Sequence, residues 1–380
     1  MIIQNALVFT LEQGFVKKDT VIEDGYFTGE KRAAQEGETV IDAAGNYLIP
    51  GLVDVHFHGC AGYDFSDGTI EALEAIGAYE LRNGITSICP AAMTMPQDAL
   101  ISICENAYSY KRHWGESLAS RLCGIHLEGP FLSAEKKGAQ NPEFIQSPKT
   151  EVFERLQGAA HGLVRLVTIA PEIQGAECFI RELGSKVHIS VGHTTSDYET
   201  AYRAFALGAD HLTHLFNAMP GFTHRAPGVV GAAFDSKHVM PELVCDGILV
   251  HSSAVRMAFE MFGKERMILI SDSMRAAGMP DGDYSLGGLP VRVTGSLATL
   301  EDGTIAGSAT NLMECMKTAV SMGIPLETAV RCATYNPAKS IGVDDVCGRI
   351  AEGMYGDCVI LSKEDLSIEE VLLGGEVVRR

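Results

Sequence analysis

The 380-residue sequence has too few basic residues to balance its acidic ones. It contains 30 Lys and Arg residues against 49 Asp and Glu, and its formal net charge is −19. A charge of this sign and size repels both a phosphate backbone and an anionic membrane surface. The composition therefore argues against nucleic acids and membranes as partners.

The sequence also lacks long apolar runs and a secretory type of N-terminus. No stretch reaches the roughly 18 consecutive apolar residues that a membrane-spanning helix needs. The first residues, MIIQNALVFTLEQG, contain no basic region followed by an apolar one. The 10 cysteines include no CxxC pair, which is typical of reduced, mostly buried thiols. We expect a soluble cytoplasmic protein.

Short, almost continuously apolar runs recur through the middle of the chain. Such runs are typical of parallel strands buried on both faces. Eight are present, at residues 48–59, 85–92, 122–129, 164–172, 186–193, 209–217, 241–247 and 267–273. Amphipathic helical patterns lie between them, for example over 66–84 and 196–208. The alternation predicts an α/β fold, a (β/α)8 barrel over residues 50–344.

The two ends of the chain follow a different pattern. Residues 1–49 and 345–380 alternate like short antiparallel strands, with turn dipeptides such as Asp24-Gly25 between them. We expect both ends to meet in one small β-sandwich domain beside the barrel.

Polar side chains occur where the predicted barrel strands end. In a (β/α)8 barrel the active site lies at this C-terminal face, and imidazoles with carboxylates suit Zn²⁺ or Fe²⁺. A single histidine at a strand end is more often a structural residue, but a joint pattern over five strands predicts a divalent metal site. The six candidate ligands are His56, His58, Glu128, His193, His214 and Asp272. His126, His188 and His211 also lie in predicted strands, and we interpret them as packing or supporting residues.

Longer motifs carry a family resemblance over essentially the whole chain. DVHFHG, HLEGPFLS, SVGHTTSD, THLFNAMPGFTHRAPG, SDSMRAAGMPDGDYSLGG and ATYNPAK resemble the N-acetylglucosamine-6-phosphate deacetylase family of the amidohydrolase superfamily. The resemblance implies a metal-dependent barrel with a small β-sandwich, usually as a homodimer. It also implies a reaction, removal of the acetyl group from an N-acetyl amino sugar 6-phosphate, with N-acetylglucosamine 6-phosphate as the leading substrate.

The resemblance also implies roles for the candidate ligands. Glu128, His193 and His214 match the ligands of the main metal ion. His56 and His58 match a second site, so that one or two ions per subunit are expected, with Glu128 as the bridging ligand. Asp272 matches the general base, which takes a proton from the attacking water and returns it to the amine that leaves.

The substrate-binding residues follow the family pattern less closely. Asn217 and Ala218 match a turn that contacts the ligand. Arg225 resembles an arginine that reaches across the homodimer interface to the sugar phosphate, a role to which a guanidinium group is well suited. The glycine-containing loop that starts at Ser271 is a candidate lid over the pocket.

Two departures from the family pattern concern the substrate. Gln140 stands where the family usually has a histidine that polarises the substrate carbonyl, and an amide can donate a hydrogen bond but carries no charge. Leu249 stands where the family usually has another histidine, and His251 is a candidate replacement two residues further on. These departures motivate one alternative, a deacylase of N-acetylgalactosamine 6-phosphate or of an unphosphorylated N-acyl compound. A second alternative, a non-catalytic protein that senses sugars or serves assembly, is disfavoured because all six candidate ligands are present.

Overall fold

The computed structural model describes residues 1–29, 32–115 and 118–378. Its strands are β1 (Ile2–Thr10), β2 (Gly14–Glu23), β3 (Tyr26–Thr28), β4 (Val40–Asp42), β5 (Tyr47–Pro50), β6 (Leu52–Asp54), β7 (Gly59–Cys60), β8 (Tyr63–Asp64), β9 (Ile85–Ile88), β10 (Ala91–Ala92), β11 (Arg121–Leu122), β12 (Ile125–Phe131), β13 (Val164–Ile169), β14 (His188–Val191), β15 (His211–Leu212), β16 (Met240–Val244), β17 (Ile268–Ile270), β18 (Gly282–Leu286), β19 (Leu289–Thr294), β20 (Leu297–Thr299), β21 (Cys358–Leu361), β22 (Ile368–Leu373) and β23 (Glu376–Val378). Its α-helices are α1 (Ile70–Arg82), α2 (Gln97–His113), α3 (Thr150–Ala159), α4 (Ala176–Leu183), α5 (Tyr198–Leu207), α6 (Gly228–Asp235), α7 (Ser252–Phe262), α8 (Leu312–Ser321), α9 (Leu326–Ala333) and α10 (Tyr335–Ser340). Over these ranges, none of the helices has both the length and the apolar character needed to cross a bilayer.

The central strands form a parallel barrel. β6 pairs with β9, β10 continues β9 after two residues, and β10 begins the hydrogen-bonded order β10-β12-β13-β14-β15-β16-β17. Backbone bonds beyond β17 close the ring onto the first strand, because Asp272 N donates to His56 O at 3.0 Å and His58 N donates to Ser273 O at 2.7 Å. Each of the predicted strand segments overlaps a barrel strand, which confirms the (β/α)8 barrel.

The ends of the chain meet in a separate β domain. Its eight-stranded sheet has the order β23-β22-β21-β5-β1-β2-β3, and β4 pairs with β1. The antiparallel pairing of β21 with β5 joins the C-terminal strands to the N-terminal ones. Alternate residues of these strands, among them Val8, Leu48 and Ile360, share one buried apolar cluster. The small β domain built from both termini is confirmed, and the domain boundaries at 49/50 and 344/345 stay a prediction.

A third sheet at the mouth of the barrel was not predicted. β18, β19 and β20 form an antiparallel three-stranded sheet between the last barrel strand and α8. Its inner residues, which include Leu286 and Val291, pack on Met93 and Met274 beside the barrel mouth. Leu286 also lines the main cavity, so the segment after Asp272 leads into an ordered wall of that cavity.

The first barrel helix begins later than its sequence pattern suggests. Residues Phe65–Asp67 form a separate 3-10 helix, which ends at Gly68 with a φ of 64°. This left-handed residue breaks the helix, since glycine adopts such a conformation without steric cost. Thr69 then caps α1 by accepting a hydrogen bond from Ala72 N at 3.1 Å. The helix predicted over 66–84 is therefore Ile70–Arg82.

Candidate metal centre and active site

All six predicted ligands are buried: five follow the C-terminal end of a barrel strand within four residues, and Glu128 lies within β12. Three of them have left-handed backbones, with φ values of 46° for His193, 29° for His214 and 48° for Asp272. A non-glycine residue held in this region costs about 1–3 kcal/mol, and such strain is concentrated at functional sites. The sharp turn after each strand directs the side chain into the mouth of the barrel.

Glu128 lies at the middle of the cluster. Its Oε1 atom is 3.1 Å from His56 Nε2, 3.1 Å from His193 Nε2 and 3.2 Å from His214 Nε2. Its Oε2 atom is 3.3 Å from His58 Nε2. One carboxylate therefore faces the Nε2 atoms of all four predicted histidine ligands.

Asp272 completes the cluster on the side of the first strand. Its Oδ1 atom is 3.4 Å from His58 Nε2 and 3.8 Å from His56 Nε2. The ligand atoms form two groups, each with its atoms within 4.8 Å of one another: Glu128, His193 and His214 in one, and His56, His58 and Asp272 in the other. The resemblance implies the same division of the four histidines between a main and a second metal ion, and the two ions stay a prediction.

Hydrogen bonds at the far ring nitrogens orient the imidazoles for metal binding. His58 Nδ1 lies 3.1 Å from Ala91 O, and His193 Nδ1 lies 2.8 Å from Lys136 O. Because a carbonyl oxygen only accepts, each Nδ1 carries a proton, so Nε2 is the ring nitrogen that faces Glu128 and would bind a metal ion. His193 Nε2 and His214 Nε2 are also only 3.0 Å apart. Imidazole nitrogens and a carboxylate this close together are the mixed ligands of divalent metal sites, so the residues fit a divalent metal ion.

The electrostatics of the cluster keep its central carboxylate ionised. Burial alone would raise the pKa of Glu128, but the charges of His56 and His58 hold that pKa well below its usual range. Burial alone would lower the pKa of His58, but the charges of Glu128 and Asp272 and their hydrogen bonds to the ring together outweigh burial and raise the pKa to about 10. His126 behaves differently, because burial lowers its pKa well below the usual value and its Nε2 lies 2.8 Å from Thr168 Oγ1. A neutral, hydrogen-bonded His126 suits the packing role predicted for it.

A buried carboxylate that the sequence analysis did not single out supports the cluster. Glu242 lies in β16, and its Oε2 is 2.8 Å from His56 Nδ1 and accepts from His214 N at 3.1 Å. Its Oε1 is 3.1 Å from His211 Nε2. The available signal was an acidic residue near the start of the predicted strand PELVCDG, next to the apolar residues LVC. His188, in contrast, lies 2.6 Å from Asp210 and has no contact with the cluster.

A cavity of about 510 Å³ opens above the metal-ligand cluster. Gln140, Asn217, Ala218 and Leu249 line it. Gln140 Nε2 donates to Glu128 Oε2 at 2.5 Å, and its Oε1 accepts from Thr94 N at 2.7 Å. Asn217 Nδ2 is buried and has no hydrogen-bond partner within the described ranges, so it is available to a ligand.

Two predicted substrate-binding residues lie outside this cavity. Arg225 is exposed in the loop between β15 and α6, and within one chain it does not reach the cavity. His251 is exposed at the N-terminus of α7, where its Nδ1 accepts from Ser253 N at 3.2 Å. The imidazole of His251 thus serves as a helix cap, and its position does not support the predicted contact with substrate. Leu249, two residues earlier, is the residue that lines the cavity wall.

The barrel and its buried cluster of histidines and carboxylates define a metal-dependent (β/α)8-barrel hydrolase. Residues 47–378 match the amidohydrolase family, and the chain belongs to that family. It is 36% identical over 362 residues to the N-acetylglucosamine-6-phosphate deacetylase of Bacillus subtilis (strain 168). The aligned residues cover 92% of this chain and 91% of the relative.

Two further comparisons concern the ligand. A mutant N-acetyl-D-glucosamine-6-phosphate deacetylase from Mycobacterium smegmatis, solved in complex with N-acetyl-D-glucosamine-6-phosphate, has a TM-score of 0.90 and 32% identity, covering 99% of this chain and 98% of that one. The N-acetylgalactosamine-6-phosphate deacetylase of Escherichia coli O157:H7 is 31% identical and covers 89% of each chain.

Proposed function

We propose that this chain is a metal-dependent deacetylase that hydrolyses N-acetylglucosamine 6-phosphate to glucosamine 6-phosphate and acetate. The observation that carries the proposal is the arrangement of four imidazole Nε2 atoms around Glu128, beside Asp272, at the floor of a sugar-sized cavity. The relatives with this activity support the choice of substrate, since they match nearly the full length of the chain.

The distances between the ligand atoms indicate which residues would hold each metal ion. Glu128, His193 and His214 would hold the main ion, and His56 and His58 would hold a second one. The mixed nitrogen and oxygen donors suit Zn²⁺ or Fe²⁺. A bound divalent ion supplies Lewis acidity, which polarises an amide carbonyl and lowers the pKa of water.

Asp272 is the proposed proton carrier. Its backbone is fixed on both sides, because its N–H donates to His56 O at 3.0 Å and its carbonyl accepts from Ser308 N at 2.7 Å. This holds the carboxylate at the edge of the cluster, where it takes a proton from the attacking water and passes it to the nitrogen that leaves. Such general acid and base catalysis contributes about 10²–10⁴ to a rate.

The cavity wall supplies the proposed substrate contacts. Gln140 and Asn217 offer amide donors, and Ala218 lies at the turn beside them. Arg225 would contact the phosphate from the partner subunit of a homodimer, and its exposed position in one chain suits that role. The ten cysteines are all unpaired, which suits the reducing cytoplasm that we propose as its compartment.

Acetate release from a small panel of N-acetyl sugars tests the proposal. The purified protein would be freed of metal with a chelator, reloaded with Zn²⁺ or Fe²⁺, and assayed on N-acetylglucosamine 6-phosphate, N-acetylgalactosamine 6-phosphate and N-acetylglucosamine. We expect metal-dependent release, fastest with the first compound. Faster turnover of N-acetylgalactosamine 6-phosphate would favour the alternative substrate, which is the one in the name of the relative from Escherichia coli O157:H7. Release that is insensitive to metal removal would overturn the proposed chemistry.

A further inference from the structure

Glu242 is a carboxylate with no exposed surface, inside the barrel beneath the metal-ligand cluster. Burying an ionised carboxylate is costly unless charged or hydrogen-bonding partners surround it. Its partners are His56, His211 and His214, which come from two other barrel strands. Glu242 is not among the cavity-lining residues of the described chain, so its contacts are with the ligands and not with the substrate space.

One oxygen of Glu242 serves both ligand groups. Oε2 lies 2.8 Å from Nδ1 of His56, which belongs to the group with His58 and Asp272. The same Oε2 accepts from the backbone N–H of His214 at 3.1 Å, and His214 belongs to the group with Glu128 and His193. A carboxylate oxygen only accepts when ionised, so the contact places a proton on His56 Nδ1 and makes Nε2 the atom that faces Glu128 and would bind an ion.

The bond to the backbone has a second consequence. His214 has a left-handed φ of 29°, a conformation that persists only where its surroundings hold it. The hydrogen bond from its N–H to Glu242 fixes the peptide at that turn. Glu242 therefore controls the ring orientation of one ligand and the backbone of another.

We propose that Glu242 is a positioning residue that couples the two metal-binding groups, so that its loss weakens metal binding without removing a ligand. This inference rests on the metal centre of the proposed function. Residues that orient ligands in this way typically change metal affinity by about 10–100-fold when they are replaced.

Two substitutions separate the charge of Glu242 from its hydrogen bonds. Glu242→Gln keeps the shape and one oxygen acceptor for His56 and His214, but it removes the charge. Glu242→Leu removes the charge and the acceptors together. Glu80→Gln is a matched control, because Glu80 is also fully buried and interacts with Asp54 and Cys60 rather than with the histidines.

The test is metal binding to the full chain after chelator treatment. Zn²⁺ and Co²⁺ would be titrated into the wild type and the three variants, with stoichiometry, dissociation constants and the Co²⁺ absorption spectrum as readouts. We expect Glu242→Gln to bind about 10-fold more weakly and Glu242→Leu up to about 100-fold more weakly, with altered Co²⁺ spectra. Glu80→Gln should match the wild type. In steady-state assays with metal present below saturation, kcat should fall while KM stays unchanged.

Two outcomes would contradict the inference in different ways. Wild-type affinity and spectrum in a folded Glu242→Gln variant would refute the positioning role, and this variant decides the matter if Glu242→Leu does not fold. Failure of the wild type itself to bind either ion would instead refute the proposed function.

Discussion

Glu80 gives a sharp prediction about stability and pH. It lies in α1 with no exposed surface, and neither carboxyl oxygen has a hydrogen-bond partner in the part of the chain that the structure describes. Burial, and then the negative charge of Asp54, raise the pKa of Glu80 from 4.5 to about 8. The folded protein therefore keeps the Glu80 proton at neutral pH, whereas the unfolded chain releases it.

Proton linkage gives the direction in which the free energy of unfolding changes with pH. Below the unfolded pKa both states are protonated, and Glu80 imposes no penalty. As the pH rises from 4.5 to about 8, the unfolded state is stabilised by ionisation and the folded state is not, so the free energy of unfolding falls. One pKa unit corresponds to about 1.4 kcal/mol, which gives a loss of about 3 kcal/mol at neutral pH and at most about 5 kcal/mol above the folded pKa.

Glu80→Gln removes this titration. Urea unfolding of the wild type and the variant would be followed in the presence of a chelator at intervals from about pH 5 to about pH 9. Other groups that titrate nearby, Asp54 and Cys60 among them, remain in both proteins, so the difference between the two curves reports mainly on Glu80. We expect the variant to gain up to about 4 kcal/mol relative to the wild type across this range. If the difference in unfolding free energy between the two proteins stays constant with pH, the raised pKa of Glu80 is refuted.

Three further predictions concern the active site. Asp272→Asn should lower kcat by about 10²–10⁴ while the protein still binds metal, and near-normal turnover would rule out its role as proton carrier. Lys137 lines the cavity half-buried, and its Nζ donates a hydrogen bond to Gly138 O at 3.3 Å. Lys137→Met should therefore raise KM for the phosphorylated sugar and leave the unphosphorylated one unaffected, whereas equal effects on both would exclude a phosphate contact. Arg225→Gln subunits mixed with Asp272→Asn subunits should regain activity if Arg225 acts across a homodimer, and no recovery in proven heterodimers would exclude that geometry.

The sequence predicted the barrel because parallel strands buried on both faces leave a distinctive apolar pattern. The same criterion overlooked β18–β20, which alternate apolar and polar residues and lie over the barrel mouth. Gly287 and Gly288, both with positive φ, join the first two of these strands and are the kind of pair that marks a hairpin turn. The late start of α1 likewise depends on the left-handed Gly68, and the spacing of apolar residues gives no sign of that backbone conformation.

The candidate ligands were predictable because each ends a strand, and the ends of parallel strands meet at one face of a barrel. Glu242 was not, because its function depends on which side chains lie beneath the ligands in neighbouring strands. His251, in contrast, is a candidate from the sequence whose position in the structure does not support the predicted role. Its place two residues after Leu249 made it a candidate for the substrate site, but the start of α7 uses its ring as a cap.

Gln140 shows how the structure refines a substitution that the sequence could only flag. Thr94 N is a donor, so the atom of Gln140 that meets it is the amide oxygen, and the NH₂ group faces Glu128. That group has two N–H bonds, and one of them is used by Glu128 Oε2. The same nitrogen also donates to Met93 Sδ at 3.6 Å, and thioether sulfur is only a weak acceptor. Gln140 therefore binds Glu128 and lines the cavity with a neutral group, which cannot stabilise negative charge on an acetyl oxygen as an imidazolium would.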